Sequence, residues 1–376
     1  MRKVLTVLAA TVALAGVAAA PASAAPGTPE LALTAPTGGH PVARTELHLT
    51  DQARADPWLP DRRRELMVSV WYPARRPSDR PAAYVTAQES ELLTRQFDPG
   101  LPPDLVAGVR THASADAPLW TPGHRLPLVL LSPGWSLPRA SLSGLATDLA
   151  SRGYLAVTVD HTYESTATEF PGGRITDCAA CRVRDGIPPA GQDEFFARMT
   201  ANRAADLSFV LDALPRSWWG GRWIDRHRIA AVGHSAGGSA VLGGLVTDRR
   251  IRAAVSMDGR LSPPIPSPLN RPVLLLGEQN SVPGGAIGWD PNWRELTGWK
   301  RWLTVTGMGH ESFSDVALLS EQLGRVPQPL PSARATRIVR DYVAAFLDLH
   351  LRGEPQPLLN GPDEDYPEVR FHWPTR

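Results

Sequence analysis

Sulfur is scarce in this chain: Cys178 and Cys181 are the only cysteines among 376 residues. Around them stand only Asp177, Arg182 and Arg184, with no second Cys or His pair, so a structural zinc site lacks ligands. An excess of charge is missing too, because 39 Lys and Arg face 38 Asp and Glu for a formal net charge of +1. A chain so balanced offers no basic face to a phosphate backbone, which removes nucleic acid as a partner. Past residue 24 no apolar run is long enough to span a bilayer. No repeat divides the chain, and nothing in it calls for an obligate protein partner.

What is present begins with a leader. Met1-Arg2-Lys3 is basic, Val4 to Ala20 is apolar and alanine-rich, and Ala22-Ser23-Ala24 supplies the small-x-small pattern that signal peptidase reads. The stretch is short for a membrane anchor and Pro21 follows at once; a lipid anchor would need a cysteine beside the cleavage site. The expectation is a signal peptide over 1–24, cleaved after Ala24, and a secreted, soluble product. Cleavage removes two basic residues and no acidic one, taking the formal charge from +1 to −1. In an exported protein Cys178 and Cys181 are expected to close a disulfide over a small loop. Residues 25–376 suit a single domain: an irregular leader with an edge element to about 60, a catalytic core over about 61–352 and a tail over 353–376. The 37 prolines gather in connections such as Leu101-Pro102-Pro103, which stiffens loops rather than loosening them.

Hydrophobic spacing sets the fold class. Leu66 to Tyr72 alternates like a half-buried strand stopped by Pro73, whereas Leu126 to Leu131 is continuously apolar, as a strand covered on both faces must be. A helix is predicted over 142–152, a strand over 154–159 ending in Asp160-His161, and an irregular insert up to Gly191. The spacing of Phe196, Met199, Ala204, Leu207, Leu211 and Leu214 predicts a helix over 194–214. Strands follow at 251–257, 272–276 and 301–305, and an amphipathic helix at 336–351. Such alternation demands an α/β architecture, a mostly parallel central sheet with helices on both faces.

Within that pattern, Arg228 to Val232 runs into Gly233-His234-Ser235-Ala236-Gly237-Gly238. A turn tight enough to expose a serine hydroxyl has no room for side chains two positions before and after it, and glycine occupies both. A strand, this turn and a helix of small residues form the nucleophile elbow of the α/β-hydrolase fold, with Ser235 as nucleophile. Serine needs a base, and the base needs an acid behind it; in this fold the chain order is Ser, acid, His. Of ten histidines only His310, His350 and His372 follow Ser235. His350 sits in the last helical pattern and His372 in the tail, which leaves His310 in the turn Gly307-Met308-Gly309-His310-Glu311-Ser312-Phe313. Asp258 and Glu278 each end a strand at the carboxyl edge where such sites form, so both are candidate acids. Asp160 precedes the nucleophile and reads as a cap on its strand end, and Asp248 is a weaker candidate. Acyl transfer also needs N–H donors for the developing oxyanion. Ala236 supplies one; in Ser132-Pro133-Gly134-Trp135-Ser136, proline has no N–H and Gly134 serves the turn, which leaves Trp135 as the second, its indole facing the pocket.

These residues resemble the secreted platelet-activating factor acetylhydrolase group, the plasma-type lipoprotein-associated phospholipases A2 and their bacterial relatives. The resemblance runs from about Met67 to Leu351, through Val68-Ser69-Val70-Trp71-Tyr72-Pro73-Ala74, Asp148-Leu149-Ala150-Ser151-Arg152-Gly153-Tyr154, Val159-Asp160-His161, the elbow, Met257-Asp258-Gly259 and Gly309-His310-Glu311-Ser312-Phe313. It implies Asp258 rather than Glu278 as acid, Trp135 and Ala236 as oxyanion donors, and calcium-independent hydrolysis of short or oxidised acyl chains at the sn-2 position of phospholipids. No metal or organic cofactor is expected. A general lipase or cutinase-like polyester hydrolase would use the same residues, and a non-catalytic binding protein could keep the scaffold. The chain departs from the family in the oxyanion turn, with Pro133-Gly134 where His-Gly is common, and in the insert around Cys178.

Three clusters stand apart from this site. Trp289, Trp293, Trp299 and Trp302 fit either a lid in transient contact with lipid or the packing of a helix on the sheet. Trp218, Trp219 and Trp223 read as core or loop anchors. Arg62-Arg63-Arg64 reads as a solvated lead-in to a strand.

Overall fold

The computed structural model describes residues 30–373; the expected signal peptide over 1–24, with cleavage after Ala24, falls outside the described residues. The chain enters on β1 (Val42–Ala55), which pairs antiparallel with β2 (Arg63–Pro73). Next come α1 (Ala87–Phe97), the short β3 (Ser114–Ala115), β4 (Leu126–Ser132), α2 (Ser143–Ser151) and β5 (Leu155–Asp160). The insert carries a hairpin of β6 (Thr168–Phe170) and β7 (Arg174–Thr176) and the short α3 (Ala179–Asp185). Then follow α4 (Gln192–Ser217), β8 (Ile224–His234), α5 (Ala236–Thr247), β9 (Ala253–Met257), β10 (Val273–Glu278), α6 (Asp290–Glu295), β11 (Lys300–Val305), α7 (Asp315–Gln322), α8 (Ser332–Leu347) and β12 (Val369–His372).

Among the described residues ten strands form one sheet, in the order β12-β11-β10-β9-β8-β4-β5-β2-β1-β3. The run from β5 to β11 is parallel, and β2, β1 and β12 pair antiparallel at its margins. This is the expected α/β-hydrolase architecture. The continuous apolar run of β4 has its physical reason in the two faces: Leu128 and Leu130 pack with Leu207 and Leu211 of α4 and Val241 of α5. Val129 and Leu131, one residue out of phase, pack with Leu145 and Leu149 of α2 and Val343 of α8. In β8, Ile229 and Ala231 divide from Ala230 and Val232 in the same way. At about 25 cal/mol per Å² of apolar surface removed from water, these paired faces are the main favourable term holding the sheet to its helices.

Some elements differ from the sequence expectation. The edge element before residue 60 is a full strand of 14 residues, and the tail past 353 returns as β12 on β11. The last helix starts at Ser332 and stops at Leu347, where a π-turn over Asp348–Arg352 ends on Gly353 in the left-handed region at φ +74°. Among the described residues no helix is long and apolar enough to cross a membrane. Cys178 caps α3 and is joined to Cys181 by a disulfide.

Arg64 corrects the reading of its cluster. Arg62 and Arg63 are exposed, but Arg64 is fully buried and paired with Asp56 at 2.8 Å and Asp206 at 2.5 Å. The paired carboxylates come from residues 56 and 206, so local sequence could not show that this guanidinium is taken out of water. Trp218 is buried against Tyr72 while Trp219 remains largely exposed.

Candidate active site

At the junction of β8 and α5, Ser235 adopts φ 54° and ψ −119°, a strained conformation for a non-glycine residue. A Cβ on Gly233 would overlap the Gly237 carbonyl, and one on Gly237 would overlap the Ser132 carbonyl, so the two glycines answer to close backbone approach. The turn is tied to the neighbouring strand end by the Ser235 N–H, which donates to the Met257 carbonyl at 2.9 Å.

Three side chains from distant parts of the sequence meet here. Ser235 Oγ lies 2.9 Å from His310 Nε2, and His310 Nδ1 lies 2.6 Å from Asp258 Oδ2. Asp258 is 3% exposed. Burial by itself would push its carboxyl up, but hydrogen bonds from His310, Ser281 and the Glu278 amide outweigh it and hold the pKa below the usual value. An ionised carboxylate only accepts, so Nδ1 carries the proton and Nε2 is free to accept from the Ser235 hydroxyl. The hydrogen bond to Asp258 in turn raises the pKa of His310, with burial opposing it.

Glu278, the other candidate acid, is hydrogen-bonded elsewhere and acts on His310 only through space. Its amide donates to Asp258 Oδ1 at 3.0 Å, and its carboxylate accepts from Asn280 Nδ2 at 3.1 Å. Asp160 is buried on Arg139, whose amide donates to it at 2.6 Å, and burial pushes its carboxyl up to about 6. Asp248 is bound by Ser208 and Arg250.

Several supports of this site carry no local sequence signal. Ser281 Oγ donates to Asp258 Oδ1 at 2.6 Å. Trp302 Nε1 donates to the Ser281 carbonyl at 2.7 Å, and Trp289 Nε1 donates to the Gly259 carbonyl at 2.6 Å. Trp289, Trp293 and Trp302 are therefore buried core that braces the Asp258 loop, not a lid; Trp299 packs on Phe346 and His350. His234 is buried and its pKa is pushed down to about 3, first by burial and then by His310, so it is neutral. Its Nε2 is 2.9 Å from the His310 carbonyl, which only accepts, so that nitrogen is the donor and steadies the histidine loop.

A cavity of about 330 Å³ opens over Ser235 and His310, walled by Trp135, Phe196, Met199, Thr200, Arg260 and Ile287. The Trp135 indole meets Phe195 and Phe196 edge to face, with ring centroids 5.6 and 6.4 Å apart. Ala236, also in the wall, is the first residue of α5, where the amide has no intrahelical acceptor. Thr200, Ser239 and Ser262 also line a second, largely apolar groove of about 740 Å³ between α4 and α5.

Comparison with known proteins points to ester hydrolases. The family described as platelet-activating factor acetylhydrolase, isoform II, matches residues 86–172 and 221–352. A probable 1-alkyl-2-acetylglycerophosphocholine esterase from Arthroderma benhamiae is 30% identical, over 90% of this chain and 93% of its own length. Platelet-activating factor acetylhydrolase from Canis lupus familiaris is 26% identical over 68% of this chain and 65% of its own. Among solved structures, a ferulic acid esterase from Streptomyces cinnamoneus superposes with a TM-score of 0.78 at 43% identity, covering 91% of this chain and 99% of that one. With more than half of its residues matched by the family and a 30% identical relative aligned over nearly its whole length, the chain belongs to the platelet-activating factor acetylhydrolase isoform II family of ester hydrolases.

Proposed function

We propose that this protein is a secreted, single-domain serine esterase in which Ser235, His310 and Asp258 form the catalytic triad. The observation that carries the reading is the unbroken chain of hydrogen bonds, 2.9 and 2.6 Å, from a half-buried serine to a buried carboxylate beneath a substrate-sized cavity. His310 takes the Ser235 proton as Oγ attacks the ester carbonyl. The Trp135 and Ala236 amides receive the oxyanion, and Asp258 stabilises the imidazolium. His310 then protonates the leaving alcohol, and water activated by the same histidine releases the acid. Every atom moved belongs to the chain, the ester or water, so the cycle needs no cofactor.

The substrate follows from the shape of the site. A cavity of about 330 Å³ suits a compact acyl group, and the apolar groove that shares Thr200, Ser239 and Ser262 with it suits an alkyl chain on the remainder of the ester. Both fit a phospholipid with a short or oxidised sn-2 acyl chain, a class that includes the 1-alkyl-2-acetylglycerophosphocholine for which the Arthroderma benhamiae relative is named. A second reading, an aromatic acyl ester, is favoured by the aromatic wall of Trp135 and Phe196 and by the 43% identical ferulic acid esterase. A panel of p-nitrophenyl esters of rising acyl length, a 1-alkyl-2-acetylglycerophosphocholine and methyl ferulate separates the two. The first reading expects the highest kcat/KM on the acetyl phospholipid with a steep fall beyond short acyl chains; preference for methyl ferulate selects the second, and preference for long-chain emulsions or polyester film overturns both.

The base role of His310 fixes the pH profile. His310 must be neutral to accept a proton, and its hydrogen bond to Asp258 lifts its pKa above the ordinary imidazole value of about 6.5. The profile of kcat/KM is therefore expected to be lost as pH falls through an apparent pKa above that value, and flat above it. An acid limb centred below 6 would contradict the assignment.

A further inference from the structure

The oxyanion turn is held from beneath by a buried polar network that the triad does not use. Ser132 Oγ is 2.9 Å from His161 Nε2, and His161 Nδ1 is 2.9 Å from Asp206 Oδ2. This repeats the connectivity of a hydrolytic triad, yet Ser132 and Asp206 have no exposed surface and His161 has 2%, so no substrate reaches it. Asp206 also accepts from Arg64 and from Arg54, the latter at 2.7 Å. Beside it, Arg203 Nη1 donates to the Pro133 carbonyl at 2.7 Å and Arg203 Nε to Glu164 Oε2 at 2.6 Å. Trp58 Nε1 and Asn202 Nδ2 donate to the other Glu164 oxygen at 2.9 and 3.0 Å. Arg203 and Asp206 stand three residues apart on one face of α4.

The two residues before Gly134 are thus each tied to α4, Ser132 by its side chain and Pro133 by its carbonyl. Glycine at 134 restrains its own backbone little. An untethered Pro133–Gly134 peptide could rotate, carrying the following Gly134–Trp135 peptide out of line and swinging a carbonyl dipole toward a developing negative charge. The Arg203 guanidinium fork serves Pro133 and Glu164 at once, which a lysine ammonium at the same place reaches less well.

We propose that Arg203, assisted by the Ser132–His161–Asp206 relay, is a positioning residue that locks the Pro133–Gly134 peptide so that the Trp135 amide stays aimed at the oxyanion. The inference rests on the assignment of Ser235 and Trp135 above. Arg203 is 1% exposed and does not line the cavity over Ser235, so its effect is expected in kcat rather than in KM.

The test compares Arg203→Lys, the charge-compensated pair Arg203→Met/Glu164→Gln, and Ser132→Ala, the mildest change, with Ser235→Ala as control. Each folded variant at position 203 is expected to lose at least about tenfold in kcat with KM within about twofold, and Ser132→Ala a few-fold. A reversible trifluoromethyl ketone, which forms a tetrahedral oxyanion on Ser235, is expected to bind more weakly by the same factor as kcat falls. A merely structural role would lower the melting temperature and the active fraction without weakening the ketone. Wild-type kcat in a folded Arg203→Lys or Ser132→Ala variant, or unchanged ketone affinity, overturns the proposal. Full activity in Ser235→Ala instead overturns the site assignment beneath it, so the two failures are distinct.

Discussion

Ser235→Ala is expected to lower kcat on a short-chain p-nitrophenyl ester by ~10⁴- to 10⁶-fold while the protein stays folded. The reason is that the variant removes only the Oγ proposed to accept the acyl group, and leaves His310, Asp258 and the Trp135 and Ala236 amides in place. Alanine carries the same Cβ into the strained φ of 54°, so backbone strain is unchanged and the melting temperature is expected to stay close to that of the parent. Covalent labelling by a fluorophosphonate is lost together with turnover. A purified Ser235→Ala protein that still hydrolyses the ester would sink the nucleophile assignment, and an unlabelled parent would favour a binding protein on a hydrolase scaffold.

The acid is tested by Asp258→Asn against Glu278→Gln. Asparagine can turn its NH₂ toward His310, which forces the proton onto Nε2 and leaves no lone pair to accept from Ser235; kcat is expected to fall by ~10⁴. Glu278 supports Asp258 through its main-chain N–H, which glutamine keeps, so Glu278→Gln is expected to stay within a few-fold of the parent. Circular dichroism on both variants guards against unfolding. If glutamine at 278 cripples the enzyme while asparagine at 258 does not, the two carboxylates have been given the wrong roles.

Much of the fold was legible because it depends on local pattern. The apolar run of β4 and the helical spacing of α4 are periodicities that survive without knowing any partner, and strand–helix alternation leaves few topologies. The boundaries were less legible: β12 looks like tail because a four-residue strand has no period of its own and forms only where the margin of β11 is open to it. The tryptophans at 289–302 illustrate the same limit. Their spacing allowed lid or core, and the decision came from indole N–H groups that find the Gly259 and Ser281 carbonyls across the loop.

The candidate site divides along that line. The sequence by itself determined the elbow around Ser235, since close backbone approach at Gly233 and Gly237 tolerates only glycine, and chain order with local context singled out His310. It also brought Asp258 and Glu278 to neighbouring strand ends. Only the tertiary structure decided which carboxylate meets His310 Nδ1, that Ser281 and His234 steady that contact, and that Arg64 is buried on Asp206 rather than solvated. The physical reason is range. Steric and hydrophobic periodicity act between residues a few positions apart and are written in local sequence, whereas a hydrogen bond or buried ion pair is settled by tenths of an ångström between groups that the fold brings together from 23 to 142 positions away.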